Sequence, residues 1–210
     1  MYFSSLMRGN NNKERLYASV FKVLLSSRKY NSVKIEDIEE VSGLTRGAIV
    51  YYERNKNDLV KEVIDEYIFK RQSIKIKSKD IEADSLLGFI HAYVARIDNM
   101  IDSIKTFQEG MQVENPIKGY MAIGLTADYY YPKFAEKLRE TFDEEVALWT
   151  EHIKKAQEKG EIRPNLNPSR LAEQFRYIFL GQAYTQSLTE GLDTEHLKEL
   201  LIGLYNLIKL

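Results

Sequence analysis

The chain has 210 residues, a net charge of −1 at pH 7 and a hydrophobic content of 44%, which is enough to build a core and argues against disorder. It contains no cysteine, so disulfides, cysteine zinc sites and thiol catalysis are excluded. No apolar run reaches the length of a membrane span, and the first residues lack the pattern of a signal peptide. A cytoplasmic protein with one mid-sized domain or two small ones is therefore expected.

Helical periodicity dominates the chain and alternating β-branched runs are absent, so the predicted fold class is all-α. Residues 1–12 end in a polar Gly-Asn-Asn-Asn stretch and are predicted to be a loose lead. The first helix is predicted from Lys13 to Arg28. Its apolar stripe consists of Leu16, Val20, Phe21, Leu24 and Leu25.

The segment from Lys34 to Leu59 is predicted to contain two short helices joined by a tight turn. Apolar residues recur at three-residue steps from Ile35 to Val41, and Gly43 can take the left-handed conformation that ends a helix. Thr45 is placed as the N-cap of a second helix over Arg46 to Tyr52. Two helices with this spacing form a helix-turn-helix unit, whose second helix lies in the major groove of DNA.

The second helix of this unit carries side chains that suit DNA contact. Hydroxyl, guanidinium and phenol groups bind phosphates and base edges, and small residues let the backbone approach DNA. The polar residues are Thr45, Arg46, Tyr51 and Tyr52, and the small ones are Gly47 and Ala48. Residues 1–60 also carry more basic than acidic side chains, whereas the rest of the chain is acidic. Because a helix-turn-helix is also a common packing unit, a purely structural role stays open.

The residues from Tyr30 to Leu59 resemble the TetR family of transcriptional regulators. The match is Y-x-x-V-x-I-x-D-I, then S-G-L-T-R-G-A-I-V-Y-Y, then N-K-N-D-L, without a gap. The resemblance implies a three-helix DNA-binding head over residues 1–55 and a larger helical effector-binding and dimerisation domain over residues 56–210. It also implies that Tyr51 and Lys56 contact the DNA backbone.

Three residues depart from the family pattern. Lys34 stands where Ser or Thr usually caps the second helix, so any phosphate contact there would use charge instead of a hydroxyl. Tyr52 stands where His is common. Glu53 stands where an aromatic residue usually packs, and we expect its carboxylate to face solvent or to be paired.

The helices after the head follow from caps and apolar periodicity. Asn55 is predicted to cap a fourth helix that runs at least to Arg71. Three further helices are predicted over residues 86–104, 117–124 and from Thr126 to the break at Gly160. Asn167 followed by Pro168 marks the start of the next helix, and a last helix ends the chain.

The last two helices carry broad apolar stripes. The resemblance implies that they pair with their copies in a second subunit as a four-helix bundle, which suits a protein that reads a palindromic site as a dimer. The predicted interface residues are Phe175, Phe179, Leu197, Leu201, Leu204, Tyr205 and Ile208. The same stripes could instead face the core of a single chain.

A pocket for a small-molecule effector is the other expectation for the body. Large adaptable side chains are the usual lining of such pockets. The candidates are Tyr93, Met100, Phe107, Met111, Tyr120, Met121, Trp149 and Tyr177. For any one of them, plain core packing is the alternative.

No catalytic or metal-binding pattern is present in the sequence. His91, His152 and His196 lie far apart, and there is no Gly-rich phosphate loop or nucleophile elbow. We therefore expect no enzyme activity, no metal and no cofactor apart from the effector.

The predicted function is a ligand-responsive, sequence-specific DNA-binding regulator of transcription, with repression the expected sign. Its expected partners are an operator in double-stranded DNA, a second copy of itself and a small-molecule effector, with no membrane. The alternative is an all-helical interaction module in which the helix-turn-helix is only structural.

Overall fold

The structure of the protein is a computed structural model. It describes residues 2–27, 33–52, 55–70, 81, 83–106 and 116–210. Side chains within these ranges are described from residue 12 onward, apart from residues 27, 106 and 116.

Helices make up most of the described residues. They are α1 (Tyr2–Ser27), α2 (Ile35–Ser42), α3 (Arg46–Tyr52), α4 (Lys56–Ile64), α5 (Leu86–Thr106), α6 (Pro116–Thr126), α7 (Phe134–Glu158), α8 (Pro168–Ser187) and α9 (Thr194–Ile208). In the part of the chain that the structure describes, the only β-type pairing is a single antiparallel bridge between Ile162 and Lys209. The predicted all-α fold class is confirmed.

The chain forms two compact units. The first comprises residues Met1–Arg71 and Ile104–Phe134, and the second comprises Gln72–Ser103 and Ala135–Leu210. This division by packing brings α6 into the unit that contains the helix-turn-helix. The functional boundary after residue 55 stays a prediction.

The first unit is built around the buried stripe of α1. Phe21 lies fully buried and stacks on Tyr67 with ring centroids 4.6 Å apart. Ile38 of α2, Ile49 of α3 and Leu59 of α4 are buried in the same unit. The periodic apolar residues read from the sequence therefore do form the core that positions the helix-turn-helix.

Gly119 sets how closely α6 approaches α1. A Cβ at this position would lie 2.3 Å from the backbone oxygen of Leu25, a distance that no side chain tolerates. The two helices pack against each other at their backbones because this residue has no side chain.

Two predicted helix boundaries are wrong. The first helix begins at Tyr2, so residues 2–12 are helical, where a loose lead was expected. The helix predicted from Thr126 begins at Phe134. A short 3-10 turn over Ala127–Tyr129 and a left-handed Lys133 precede it, and Pro132 restricts the residue before it to non-helical conformations.

Other boundaries follow the predicted caps. Asn55 Oδ1 accepts a hydrogen bond from Asn57 N at 2.8 Å and begins α4, which continues as a π-helical stretch over Asp65–Lys70. Asn167 Oδ1 accepts from Arg170 N at 3.0 Å and begins α8. Gly160, with φ of 69°, follows the end of α7 as predicted.

An aromatic core holds the second unit together. Trp149 of α7 is fully buried, stacks on Phe175 of α8 at 4.7 Å and meets Phe89 of α5 edge-on at 4.7 Å. The carboxylate of Glu161 accepts from the first amides of α5, with Leu86 N at 2.8 Å. Since those amides have no partner inside their own helix, this contact ties the start of α5 to the loop after α7.

Candidate nucleic-acid interface

The turn between α2 and α3 depends on Gly43. Its φ is 61°, in the left-handed region, and its N–H donates to Glu39 O at 2.8 Å, which closes α2. A Cβ at this position would lie 2.6 Å from Nη2 of Arg15. The guanidinium is the end of a flexible side chain and could move aside, but the left-handed φ would strain any residue with a side chain, so the backbone conformation requires Gly.

The start of α3 is fixed by Thr45. Its Oγ1 accepts a hydrogen bond from Ala48 N at 3.3 Å, which confirms the predicted N-cap. Ile49 is fully buried and anchors the opposite side of this short helix in the first unit. Together these two contacts determine which side chains of α3 point outward.

The outward face of α3 carries most of the residues predicted to contact DNA. Thr45, Arg46 and Gly47 are exposed, and a Cβ on Gly47 would meet no atom of the described residues within 4 Å. Tyr51 is 83% exposed. The exposed face also includes Val50, which the sequence analysis missed although it follows Arg46 by one helical turn.

Ala48 and Tyr52 lie at the edge of this face and are half-buried. The Tyr52 ring meets the Tyr51 ring edge-on, with centroids 5.4 Å apart. Tyr52 therefore supports Tyr51 from the side, and its own contact with DNA stays a prediction.

Arg46 is held by an acidic neighbour that the sequence analysis did not select. Its Nη2 lies 2.7 Å from Oε1 of Glu36, in the first turn of α2. Backbone hydrogen bonding lowers the pKa of Glu36, and the charges of Arg46 and Lys34 lower it further. The interface thus contains a carboxylate that stays ionised beside its main cation.

Lys34 occupies the N-cap of α2 with an extended backbone and an exposed side chain. A capping box needs two hydrogen bonds, and the Lys34 ammonium cannot make the first because it has no lone pair to accept from a backbone N–H. Only the second forms, in which the Lys34 N–H donates to Oδ2 of Asp37 at 3.0 Å. The phosphate contact of Lys34 stays a prediction.

Lys56 has a structural contact within the first unit. Its Nζ donates to the carbonyl of Val33 at 3.2 Å, so the first residue of α4 is tied to the residue just before the cap of α2. Its phosphate contact stays a prediction. Several sequence predictions fall outside the described residues. These are the roles of Glu53, Phe107 and Met111 and the helix ends expected at Arg28 and Arg71.

The remaining effector candidates are divided between the two units. Tyr93 and Trp149 lie side by side in the second unit, with ring centroids 4.9 Å apart, and Met100 is half-buried. Tyr177 is 60% exposed and lies outside this cluster, because two residues after Phe175 it points from the far side of α8.

Tyr120 and Met121 belong to the first unit and are half-buried. Burial around its hydroxyl raises the pKa of Tyr120 to about 12. Their effector role stays a prediction.

Most residues predicted for the dimer interface face the core of the chain itself. Phe175, Leu197 and Leu201 are 0% exposed, and Tyr205 and Ile208 are also buried. A side chain without exposed area cannot add buried area on dimerisation, so the assignments of Phe175, Leu197 and Leu201 are corrected. Tyr205 and Ile208, at 9% and 5% exposed, can add very little. Phe179 and Leu204 are half-buried and keep some surface for a partner.

The exposed faces of α8 and α9 carry other apolar residues. On α8 the stripe is formed by Tyr177, Gly181, Tyr184 and Leu188, and on α9 by Leu200, Gly203 and Leu207. We call these the α8 stripe and the α9 stripe. The space above Gly181 and Gly203 is open among the described residues, which leaves room for a close approach by another helix.

The described ranges contain neither a metal-binding group nor a helix that could span a membrane. No three His, Asp or Glu side chains there are arranged to hold a metal ion. None of the helices in those ranges combines the length and the apolar character needed to cross a bilayer.

Solved structures with the same fold are numerous. A TetR transcription regulator from Haloarcula marismortui covers 96% of this chain and 100% of its own, with a TM-score of 0.71 at 12% identity. A TetR transcriptional regulator from Chloroflexus aurantiacus covers 97% and 99%, with a TM-score of 0.69 at 20% identity. A transcriptional regulator from Saccharomonospora viridis, in complex with choline, covers 96% and 99%, with a TM-score of 0.67 at 15% identity.

No protein-family model and no curated protein matches this sequence. The likeness is therefore one of fold over nearly the whole chain. The chain has the all-α fold of TetR-family transcriptional regulators, with an N-terminal helix-turn-helix followed by a larger helical region.

Proposed function

We propose that this chain is a homodimeric regulator of transcription that binds an operator through α3 and responds to a small-molecule effector. The observation that carries the proposal is the exposed face of α3, where Arg46, Val50 and Tyr51 project from a helix fixed by the Gly43 turn and the Thr45 cap. The fold that the chain shares with TetR regulators supports the same function.

On DNA, each residue of this face has a role that its chemistry suits. Arg46 donates to a guanine edge, Val50 contacts a thymine methyl group, and Thr45 and Tyr51 donate to phosphates. To reach a base, the Arg46 guanidinium must either break its ion pair with the Glu36 carboxylate or contact the base and Glu36 at the same time. Because both side chains of this pair are exposed, the pair is weak in water and its release is easy.

The dimer forms through the α8 and α9 stripes, with Phe179 and Leu204 at their margins. Apolar side chains that are exposed on one chain become buried when two copies meet about a two-fold axis. Two heads related by that axis read two half-sites about one helical turn, roughly 34–36 Å, apart.

The effector acts by favouring a state that binds DNA less well, which makes the protein a repressor. The complex of the Saccharomonospora viridis regulator with choline supports a small molecule as the effector. A displacement of α4 would reach α2 through the contact between Lys56 and Val33. Such coupling requires that the effector bind the two states with different affinity.

Fluorescence anisotropy with DNA from the region upstream of its own gene tests this function. Arg46→Ala should weaken specific binding by about 1–3 kcal/mol if the guanidinium makes a bidentate base contact. Arg170→Ala is the matched control, because Arg170 is an exposed arginine at the start of α8. The control should bind as tightly as the wild type.

Salt dependence separates this function from the alternative. A protein that neutralises phosphates loses affinity steeply as salt rises. If the wild type binds no DNA at low salt, the regulator is rejected and the structural role of the helix-turn-helix is favoured. If it binds but Arg46→Ala changes nothing, the assigned role of Arg46 is wrong.

A further inference from the structure

A polar cluster lies buried inside the second unit, where the core is otherwise aromatic. The Tyr93 hydroxyl of α5 donates to Oε1 of Glu145 at 2.5 Å, and Oε2 of Glu145 accepts from Nε of Arg176 at 3.1 Å. Both members of the ion pair are more than nine-tenths buried. Burial raises the pKa of Tyr93 well above its usual value, and the neighbouring carboxylate raises it further, so the phenol keeps its proton.

Two hydrogen-bond donors of this cluster have no acceptor. Among the described residues, neither Nη2 of Arg176 nor Nε1 of Trp149 has a hydrogen-bond partner, and both atoms are buried. The Trp149 indole lowers the pKa of Tyr93 as a hydrogen-bonding neighbour of its hydroxyl. The Tyr93 oxygen nevertheless does not reach full hydrogen-bonding geometry to the indole N–H, so this donor keeps room for a better acceptor. Folded proteins rarely leave such donors unpaired.

The two donors belong to one neighbourhood. Trp149 follows Glu145 by four residues, so both side chains project from the same face of α7, and the rings of Trp149 and Tyr93 are 4.9 Å apart. Arg176 reaches the same carboxylate from α8. A single small group placed between α5, α7 and α8 could therefore accept from both.

The surroundings limit the chemistry of that group. The guanidinium lies over the Phe142 ring at 3.9 Å, Phe175 stacks on Trp149, and the Phe179 ring is 6.0 Å from Tyr93. The charge of Arg176 is already balanced by Glu145, so a second buried anion would be uncompensated and costly. An uncharged oxygen on an aromatic or apolar body fits the donors and the walls.

We propose that this cluster is the effector site of the second unit, and that it takes an uncharged aromatic ketone, aldehyde or amide whose carbonyl oxygen accepts from Trp149 Nε1 and Arg176 Nη2. This assignment rests on the proposed effector response. Tyr93 and Glu145 are positioning residues, because they hold the guanidinium in place through the Glu145 carboxylate.

Three probes of similar size test the assignment on the full chain. Acetophenone has a neutral carbonyl, ethylbenzene has no acceptor, and benzoate has a charged one. Trp149 is the only tryptophan of the chain, so ¹⁵N-labelled protein gives a single indole N–H resonance from the site itself. Acetophenone should move this resonance downfield with saturation, and should bind at least about tenfold more tightly than ethylbenzene and than benzoate.

Two results would overturn the assignment. One is an indole resonance that does not shift when acetophenone is added to millimolar concentration. This would be the result if a tightly held buried water accepted from the indole N–H and kept the probe out. The other is equal binding of acetophenone and ethylbenzene, which would mean that the site is only apolar.

Two variants test which of the two donors recognises the carbonyl oxygen of the probe. Arg176→Lys keeps a cation beside Glu145 but lacks the second guanidinium nitrogen, so the preference for acetophenone over ethylbenzene should fall severalfold. Trp149→Phe keeps a ring against Phe175 and removes the indole donor, and the difference in thermal shift between the two probes should fall in the same way. If both variants keep the full preference, the two donors do not recognise the probe.

Operator binding is measured on the same protein without any probe. Intact DNA binding with no response to acetophenone rejects the effector site alone. A saturable acetophenone response without any DNA binding retains the site and rejects the proposed regulator.

Discussion

The close approach of α6 and α1 gives a sharp test of the packing in the first unit. Gly119→Ala places a Cβ 2.3 Å from the backbone oxygen of Leu25 and 3.1 Å from its carbonyl carbon, where ordinary contact begins at 3.4 Å. A backbone carbonyl inside a helix cannot rotate away. The two helices must therefore separate by about 1 Å, which disturbs every contact between them.

The expected loss follows from two opposing effects. Overpacking of this kind costs about 1–3 kcal/mol, and the higher helix propensity of Ala over Gly returns about 0.5–1 kcal/mol. The net destabilisation is therefore about 0–2.5 kcal/mol. For a chain of this length it lowers Tm by up to about 10 °C.

Gly124→Ala is the matched control in the same helix. A Cβ at Gly124 meets no atom of the described residues within 4 Å, so only the gain in helix propensity remains. We expect Tm to rise by up to about 4 °C. Differential scanning calorimetry of the two variants should show shifts of opposite sign, and a Gly119→Ala protein as stable as Gly124→Ala would refute the tight α1–α6 packing.

Two further predictions concern the surface of α9 and the buried histidine of α7. Leu207 is 70% exposed on the α9 stripe. Leu207→Lys should weaken the proposed dimer by about 3–6 kcal/mol, because a two-fold interface loses the side chain twice. Light scattering after size exclusion should find monomers of this variant, whereas the control Leu125→Lys, at a 67% exposed leucine of α6, should leave the dimer intact. Burial against Phe89 lowers the pKa of His152, the charge of Lys155 lowers it further, and Glu151 partly opposes this. As pH falls, His152 of the unfolded chain therefore binds a proton before His152 of the folded chain does. The free energy of unfolding should then decrease as pH drops below about 6.5. His152→Gln should flatten the dependence of Tm on pH between about 7 and 5, and an unchanged slope would contradict this origin.

The sequence was most informative where structure depends on neighbours along the chain. The Gly43 turn, the Thr45 and Asn55 caps and the Asn167-Pro168 start are decided by local backbone hydrogen bonds and conformational preferences. Such preferences act over three or four residues and can be read directly. The helix-turn-helix and its outward residues followed from them.

The start of α7 was missed although its signal was local. Tyr131-Pro132-Lys133 interrupts the apolar periodicity that continues on both sides of it. Periodicity alone predicts an unbroken helix here, yet a proline disfavours helix at the residue before it.

Apolar periodicity identified which faces of α8 and α9 are apolar, but it could not say what each face meets. Phe175 and Leu197 belong to the broad stripes that suggested a dimer interface, yet both are fully buried within their own chain. Tyr184 and Leu207 are among the apolar residues left exposed. Whether an apolar side chain packs in its own core or against a partner depends on how the helices pack, and the spacing of apolar residues in the sequence does not determine this.

Contacts between residues far apart in the chain were decided by tertiary structure alone. The sequence by itself determined an all-α chain with a helix-turn-helix near its start, because caps, turns and helical periodicity are properties of short segments. Only the packing of helices placed Glu36 against Arg46 and brought Tyr93, Glu145 and Arg176 together from three helices. Hydrogen bonds and ion pairs of this kind depend on distances in space, and only the folded chain sets those distances.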